Sequence, residues 1–258
     1  MLALSQLFLF IIFSIVILPR EFLRQPIQQT LLNGYQLRFP LLLIIGVVLV
    51  HLIEVNILDP ITTSLLHPGF TQVLITVEQD IVAGLSSFWT PATILFFVFI
   101  YIMLYPFILW YTPLYSIITN QKHVLQTLAF SLFFLYLLTL PFYLFFPVNN
   151  VYTHYDLPSA LNTVIPRIET FFYTTTTQNN CFPSLHTAMS IIITRTIFLT
   201  ENKRFQYLSI FMMVTVIISV LYLSIHWILD VIGGIIVSLL ALYLSKKAIN
   251  GMKQHESI

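Results

Sequence analysis

Residues Tyr207–Ser245 read YLSIFMMVTVIISVLYLSIHWILDVIGGIIVSLLALYLS, an apolar tract in which the only imidazole and the only charged group are His226 and Asp230. As one continuous helix it would run about 60 Å, twice the roughly 30 Å hydrocarbon core of a bilayer. The chain must therefore turn back within it. The polar tract SIHWILD, Ser224–Asp230, is the place, which predicts two antiparallel spans and puts His226 at a membrane face. Composition agrees: 58% of the 258 residues are hydrophobic and 8% charged, with a mean hydropathy of +0.90. An ordinary soluble domain carries about 25% charged residues, so the chain reads as an integral membrane protein.

Further apolar runs lie at Leu2–Leu18, Pro40–Leu58, Phe88–Trp110, Val124–Phe146 and Ser184–Thr200, ahead of Tyr207–Ile225 and Ile228–Ser245. A span needs about 20 apolar residues, so the expectation is an all-α polytopic bundle of six to seven crossings. The first run has no basic segment before it and no small-residue cleavage site before Pro19, and it reads as a retained span. No repeat, low-complexity tract or linker divides residues 1–258, which therefore read as a single membrane domain. Within it, residues 1–120 form N-terminal spans and residues 121–250 a catalytic helical core.

Basic residues set the orientation, because positively charged loops stay cytoplasmic. Arg20, Arg24, Arg38, Lys122, Arg195, Lys203, Arg204, Lys246, Lys247 and Lys253 all fall on one side of the alternating spans, whereas Asp59, Glu78, Asp80, Asp156 and Glu169 fall in the loops of the other. The N-terminus is then outside and the C-terminus inside. Arg167, in the long outer loop, is the one basic residue out of pattern. A net charge of +1 speaks against a nucleic-acid partner. The single Cys181 excludes an intramolecular disulfide and a cysteine-based metal cage.

On this topology the start of the fifth span and the turn between the last two meet at the outer face. The fifth span opens with NCFPSLHTAM, Asn180–Met189, where Pro183 and Ser184 read as a helix start with Ser184 as N-cap. Its free first-turn N–H groups suit a phosphate, and His186 can hold a proton beside it. His226 and Asp230 stand at i and i+4 on one helical face, so the carboxylate can orient the imidazole and leave one ring nitrogen as a nucleophile or base. Either histidine alone is more simply a helix-to-helix hydrogen bond. The added aspartate within a span argues for function, because an intramembrane charge is expensive to bury. A metal triad of two His and one Asp fits less well than a phosphate cradle, since no further ligands flank it; neither metal nor cofactor is expected. Arg195 and Glu54 read as charges snorkelling to opposite faces.

The segments CFPSLH and, forty residues on, HWILD resemble the second and third signature motifs of the type 2 phosphatidic acid phosphatase superfamily, which also includes haloperoxidases and sphingolipid phosphotransferases. The resemblance covers about the last half of the chain. It implies that His226 attacks phosphorus to give a phosphohistidine, that Asp230 orients it, that His186 protonates the leaving alcohol, and that Ser184 contacts the phosphate. The K-x6-R-P motif and the arginine six residues before the nucleophile, usual in the phosphatases, are absent; Val220 holds the latter position. That pattern is similar to the inositol phosphorylceramide synthase and sphingomyelin synthase branch, and it implies a phosphodiester rather than a phosphomonoester, because less charge must be offset. Arg167 is the expected substitute cation. The expected partners are a membrane lipid donor and an acceptor that is water, a polyol or a second lipid. A transporter using His and Asp as a proton relay is the competing class, but no internal symmetry supports it.

Overall fold

The computed structural model describes residues 2–66 and 70–255, and among these the fold is all-helical, with one isolated bridge between Val148 and Asn180. In chain order the principal helices are α1 (Leu2–Ile17), α2 (Ile27–Gln36), α3 (Arg38–Leu65), α4 (Phe70–Glu78), α5 (Pro91–Ile118), α6 (Lys122–Phe145), α7 (Leu185–Ile197), α8 (Lys203–Tyr222) and α9 (Ile228–His255). Five of them, α3, α5, α6, α8 and α9, are long and apolar enough to cross a bilayer. The protein is an all-α polytopic membrane bundle. The first and fifth apolar runs form only 16- and 13-residue helices, about 24 and 20 Å long at 1.5 Å per residue and so shorter than the hydrocarbon core.

Helix α6 is the spine, packed along α9, α3 and α7, while α7 also lies against α8 and α9. The expected turn between the last two spans is present, and its mechanism is local. Ser224 takes a left-handed conformation (φ 55°), and the N–H groups of Ile225 and His226 both return to the Val220 carbonyl at 3.0 Å, ending α8. The first free N–H groups of α9 are capped from far away: Glu78, at the end of α4, accepts from Ile228 N at 2.7 Å and from Leu229 N at 2.6 Å. A carboxylate at a helix N-terminus also complements the macrodipole.

Two of the outer acids expected in loops are therefore placed differently. Glu78 and Asp59 are both buried helix residues, 5% exposed each. The second span runs seven residues past the apolar stretch that marks it, to Leu65, because a buried polar group with a hydrogen-bond partner does not end a helix. Arg195 is exposed in the last turn of α7, as a snorkelling side chain would be.

Regular α geometry fails at two places. Glu54–Leu58 in α3 and Ile100–Leu104 in α5 are π-helical turns. Such turns are rare and cluster at functional sites. Each rotates the residues around it, and the two bring Glu54 and Tyr101 to the same cavity.

The Gly233–Gly234 pair sets the distance between α7 and α9. A Cβ on Gly234 would lie 2.6 Å from the Ser184 carbonyl oxygen and 3.0 Å from Thr187 Cβ, and one on Gly233 would lie 2.8 Å from the Phe182 ring. At Gly234 the nearest atom is a backbone oxygen, which cannot move away by rotamer change, whereas at Gly233 the contact is with the Phe182 side chain. Gly234→Ala is expected to lower stability by about 1–3 kcal/mol, the range for overpacking, and to depress activity by separating the two histidine-bearing segments. Gly251→Ala, with open space around it, is the control; thermal unfolding in detergent measures both, and equal midpoints would contradict the role of the pair.

Candidate active site

His226 and His186 come from the two ends that the glycine pair brings together. His226 Nδ1 lies 3.1 Å from Asp230 Oδ2, and its Nε2 lies 3.4 Å from Nδ1 of His186. Asp230 is fully buried, and Oδ2 also accepts the Trp227 N–H at 2.8 Å. With the Nδ1–H of His226 donated to the carboxylate, Nε2 carries a free lone pair directed at His186. Two motifs forty residues apart thus aim at one point.

The same aspartate joins the motifs through its main chain. Its carbonyl accepts the Ser184 N–H at 2.9 Å. Ser184 is the N-cap of α7, with Oγ accepting from Thr187 N at 3.3 Å. Its side chain is fully buried and stands outside the walls of the cavity. Tyr143 completes the brace by donating to the Pro183 carbonyl at 2.6 Å.

The histidines open into a cavity of about 310 Å³. His186 packs against the rings of Tyr101 and Tyr105, with centroids at 4.6 and 5.0 Å. Aromatic faces attract a cation, but burial and the neighbouring His226 imidazole hold the His186 pKa well below its ordinary value, so the imidazolium that an acid needs depends on the charge of a bound phosphate. Along α3 the walls run from Glu54 to Val47 and along α5 from Tyr101 to Leu109, a length of about 10–12 Å at 1.5 Å per residue. One end is polar and holds the two histidines; the other is apolar.

Glu54 is the ionisable cavity residue that sequence reading left out. It is fully buried, accepts from Tyr136 OH at 3.0 Å and Asn180 Nδ2 at 2.6 Å, and has His51 Nδ1 at 3.5 Å. Read as a snorkelling end-of-span charge, it is instead mid-helix and inside the cavity. The available signal was the one applied to Asp230: an ionisable group within an apolar run is a functional candidate. His51, one turn earlier, and the tyrosines of α5 and α6 had no such signal, because aromatic residues in spans usually pack.

Arg167 is not brought to these groups. It is exposed, in a left-handed conformation (φ 65°) between short helices at Ala160–Val164 and Ile168–Phe172, and apart from the cavity walls. Among the described residues lining the cavity none is lysine or arginine. Cys181 Sγ lies within 4.8 Å of ligating atoms of His226 and Asp230. The thiol is turned toward the carbonyls of Gln178 and Ile225, each at 3.7 Å, and burial pushes its pKa up, so it stays protonated. With Asp230 Oδ2 engaged by His226 and Trp227, this trio is bonded internally rather than arranged as a metal shell.

A family model described as PAP2 superfamily matches residues 72–244, about two thirds of the chain. The chain belongs to the PAP2 superfamily. Membership carries phosphoesterase-type chemistry on phosphate-bearing lipids. Comparison with curated proteins and with solved structures gives no match.

Asp230→Asn keeps the shape but offers an NH₂ or a neutral oxygen where His226 needs a carboxylate. The expected loss of turnover on a fluorescent phospholipid is roughly 10³- to 10⁴-fold, as when the orienting carboxylate of a catalytic triad becomes an amide. Near-normal turnover in the purified variant would remove Asp230 from the mechanism.

Proposed function

We propose that the protein transfers a phosphate-bearing head group from a diester lipid to an alcohol acceptor, through a covalent intermediate on His226, at the non-cytoplasmic face. The observation that carries this reading is a cavity holding both histidines with no lysine or arginine among the described residues of its walls. A phosphomonoester dianion needs fixed cations around it; a diester monoanion needs fewer.

In the first step the Nε2 lone pair of His226 forms a bond to phosphorus and the bond from phosphorus to the lipid alkoxide breaks. His186 gives its proton to that oxygen, releasing a neutral lipid alcohol. The head group stays attached through phosphorus to Nε2, and Asp230 balances the charge on the ring through Nδ1–H. In the second step the now neutral His186 takes the proton of an acceptor hydroxyl, whose oxygen displaces Nε2 and restores His226. The 3.4 Å contact between the rings leaves no room for phosphorus, so substrate must part them. The apolar end of the cavity suits the start of an acyl chain.

Water in place of the alcohol would make the same chemistry a lipid phosphatase or phosphodiesterase, the reading favoured by the general character of the superfamily. The product tells them apart.

Incubation with lipid labelled in its phosphate should leave acid-labile radioactivity on the wild-type protein and none on His226→Ala. His186→Ala should turn over natural lipid slowly but form much of the phosphoprotein from a diester with a phenolic leaving group, since a weakly basic oxygen departs without a proton. Equal inactivity of His186→Ala on both substrates, or labelling of His226→Ala, would reverse or remove these roles.

The sidedness is checked separately. Gln178 and Glu201 are both exposed, at opposite ends of α7, and Cys181 is buried. Gln178→Cys should react with an impermeant thiol reagent on intact cells, and Glu201→Cys only after permeabilisation. The opposite pattern would move the site to the cytoplasmic face.

A further inference from the structure

We propose that the end of the bundle opposite the active site holds a second site, which binds the phosphate of an anionic phospholipid between α3, α6 and α9. The cavity there measures about 640 Å³, against 310 Å³ for the one that holds the histidines. Helix direction fixes its place. Arg38 and Lys122, in its walls, are the first residues of α3 and α6, and Lys253 lies in the last turn of α9, whose first turn carries Asp230.

The charge of this cavity is one-sided. Arg38, Lys122 and Lys253 line it with His123, and no aspartate or glutamate stands among its described lining residues. Positive-inside patterning accounts for basic residues at this end of the spans, but it does not bring three of them, from three helices, to one cavity. The hollow beside Lys203 and Arg204, at the same end, includes Glu201. Neither Lys122 nor Lys253 has a carboxylate partner among the described residues.

Two of these charges also sit where helix geometry opposes them. The first turn of a helix carries the positive end of the macrodipole, which disfavours a cation, yet Arg38 opens α3 and Lys122 opens α6. An anion between them turns that repulsion into attraction. Arg38 is held in position for it: the guanidinium lies 4.6 Å from the centre of the Tyr35 ring and donates to the Tyr35 carbonyl at 3.1 Å, which leaves its other N–H groups for a ligand.

The apolar walls identify the anion as part of a lipid. Phe39 and Leu42 line the cavity and are 59% and 63% exposed. From Leu42 a stripe of exposed apolar side chains continues along α3 through Ile45, Leu49 and Ile53 at helical spacing. A phosphate bound here is therefore continuous with hydrocarbon, and a ligand carrying acyl chains matches both surfaces where free phosphate matches one. Basic pockets between spans on the cytoplasmic side bind anionic head groups, and the orientation proposed above puts this end in that leaflet. Since α3 and α9 both pack along α6, a phosphate shared by Arg38, Lys122 and Lys253 would tie the ends of the three helices together.

The test follows thermal unfolding of the full-length protein in detergent micelles carrying phosphatidylglycerol or, at the same mole fraction, phosphatidylcholine, with soluble glycerol phosphate as a third arm. Phosphatidylglycerol should raise the midpoint by about 3–6 °C once in tenfold excess over its dissociation constant, and the other two should raise it much less. Lys122→Gln combined with Lys253→Gln should remove most of that shift. Lys246→Gln combined with Lys247→Gln, an equal change of charge on exposed residues of α9 outside the cavity, should keep it. A shift that survives in the first pair puts the lipid elsewhere, the catalytic cavity included, and equal loss in both pairs reduces the effect to general surface charge. An equal shift with glycerol phosphate makes the site one for soluble anions, and an equal shift with phosphatidylcholine, or none with phosphatidylglycerol, removes it. Each of these four results overturns the proposal.

Discussion

Asp230 makes bonds in two directions, and the site depends on both. Its carboxylate accepts from the His226 ring and the Trp227 amide; its carbonyl accepts from the Ser184 amide. One residue therefore orients the imidazole of one motif and fixes the first turn of the helix that carries the other. Burying a carboxylate in a bilayer-spanning protein is expensive unless donors meet it. Here Oδ2 has two donors while Oδ1 is buried without a partner, so the negative charge is not fully solvated. In the proposed reaction, a bond from Nε2 to phosphorus would make the ring more positive and supply the missing counter-charge. The unsatisfied oxygen thus favours the state with more positive ring character.

The turn that presents His226 is held from outside its own helices. Glu78 caps α9 across 150 residues of sequence, the Trp227 indole donates to the Asn149 carbonyl at 2.8 Å, and the Tyr152 amide donates to the Ser224 carbonyl at 2.9 Å. The loop between α6 and α7 is therefore part of the site's framework. Glu169 extends this, taking hydrogen bonds from Tyr152 OH and Asn162 Nδ2, each at 2.5 Å. Several carboxylates at the site's end of the bundle, which charge patterning treats as solvated loop acids, are hydrogen-bond hubs. That explains why they persist where few cations are available to pair with them.

What could be read from residues and what could not divide along a physical line. Periodicity and length suffice for the bundle, for the reversal at Ser224–Asp230, and for the i, i+4 geometry of His226 and Asp230, because these are local. The meeting of His186 with His226 was legible only through topology, since both lie at the same end of their spans. Glu54 was not legible as a cavity residue. Its direction depends on a π-helical turn beginning at the same residue, and its donors come from positions 82 and 126 residues away. Arg167 errs in the other direction: a lone cation in a loop of the right sidedness looks functional, but its backbone turns it to solvent, apart from the cavity walls.

The electrostatics of the cavity tie these points together. A phosphate site built on cations binds its substrate through charge and can hold small soluble esters. A cavity whose ionisable lining, among the described residues, includes one carboxylate and three imidazoles but no lysine or arginine has a weak hold on phosphate by itself. It must obtain affinity elsewhere, and the two remaining sources on its walls are apolar contact along α3 and α5 and aromatic contact around Glu54. Both belong to parts of a ligand remote from phosphorus. Binding energy from such remote parts can be directed to positioning the reacting atoms, here to parting two histidine rings that otherwise touch. A small phosphate ester lacking those parts could not supply that energy, so a cavity with no lysine or arginine among its described lining residues and with an elongated aromatic wall supports the proposed action on whole lipids.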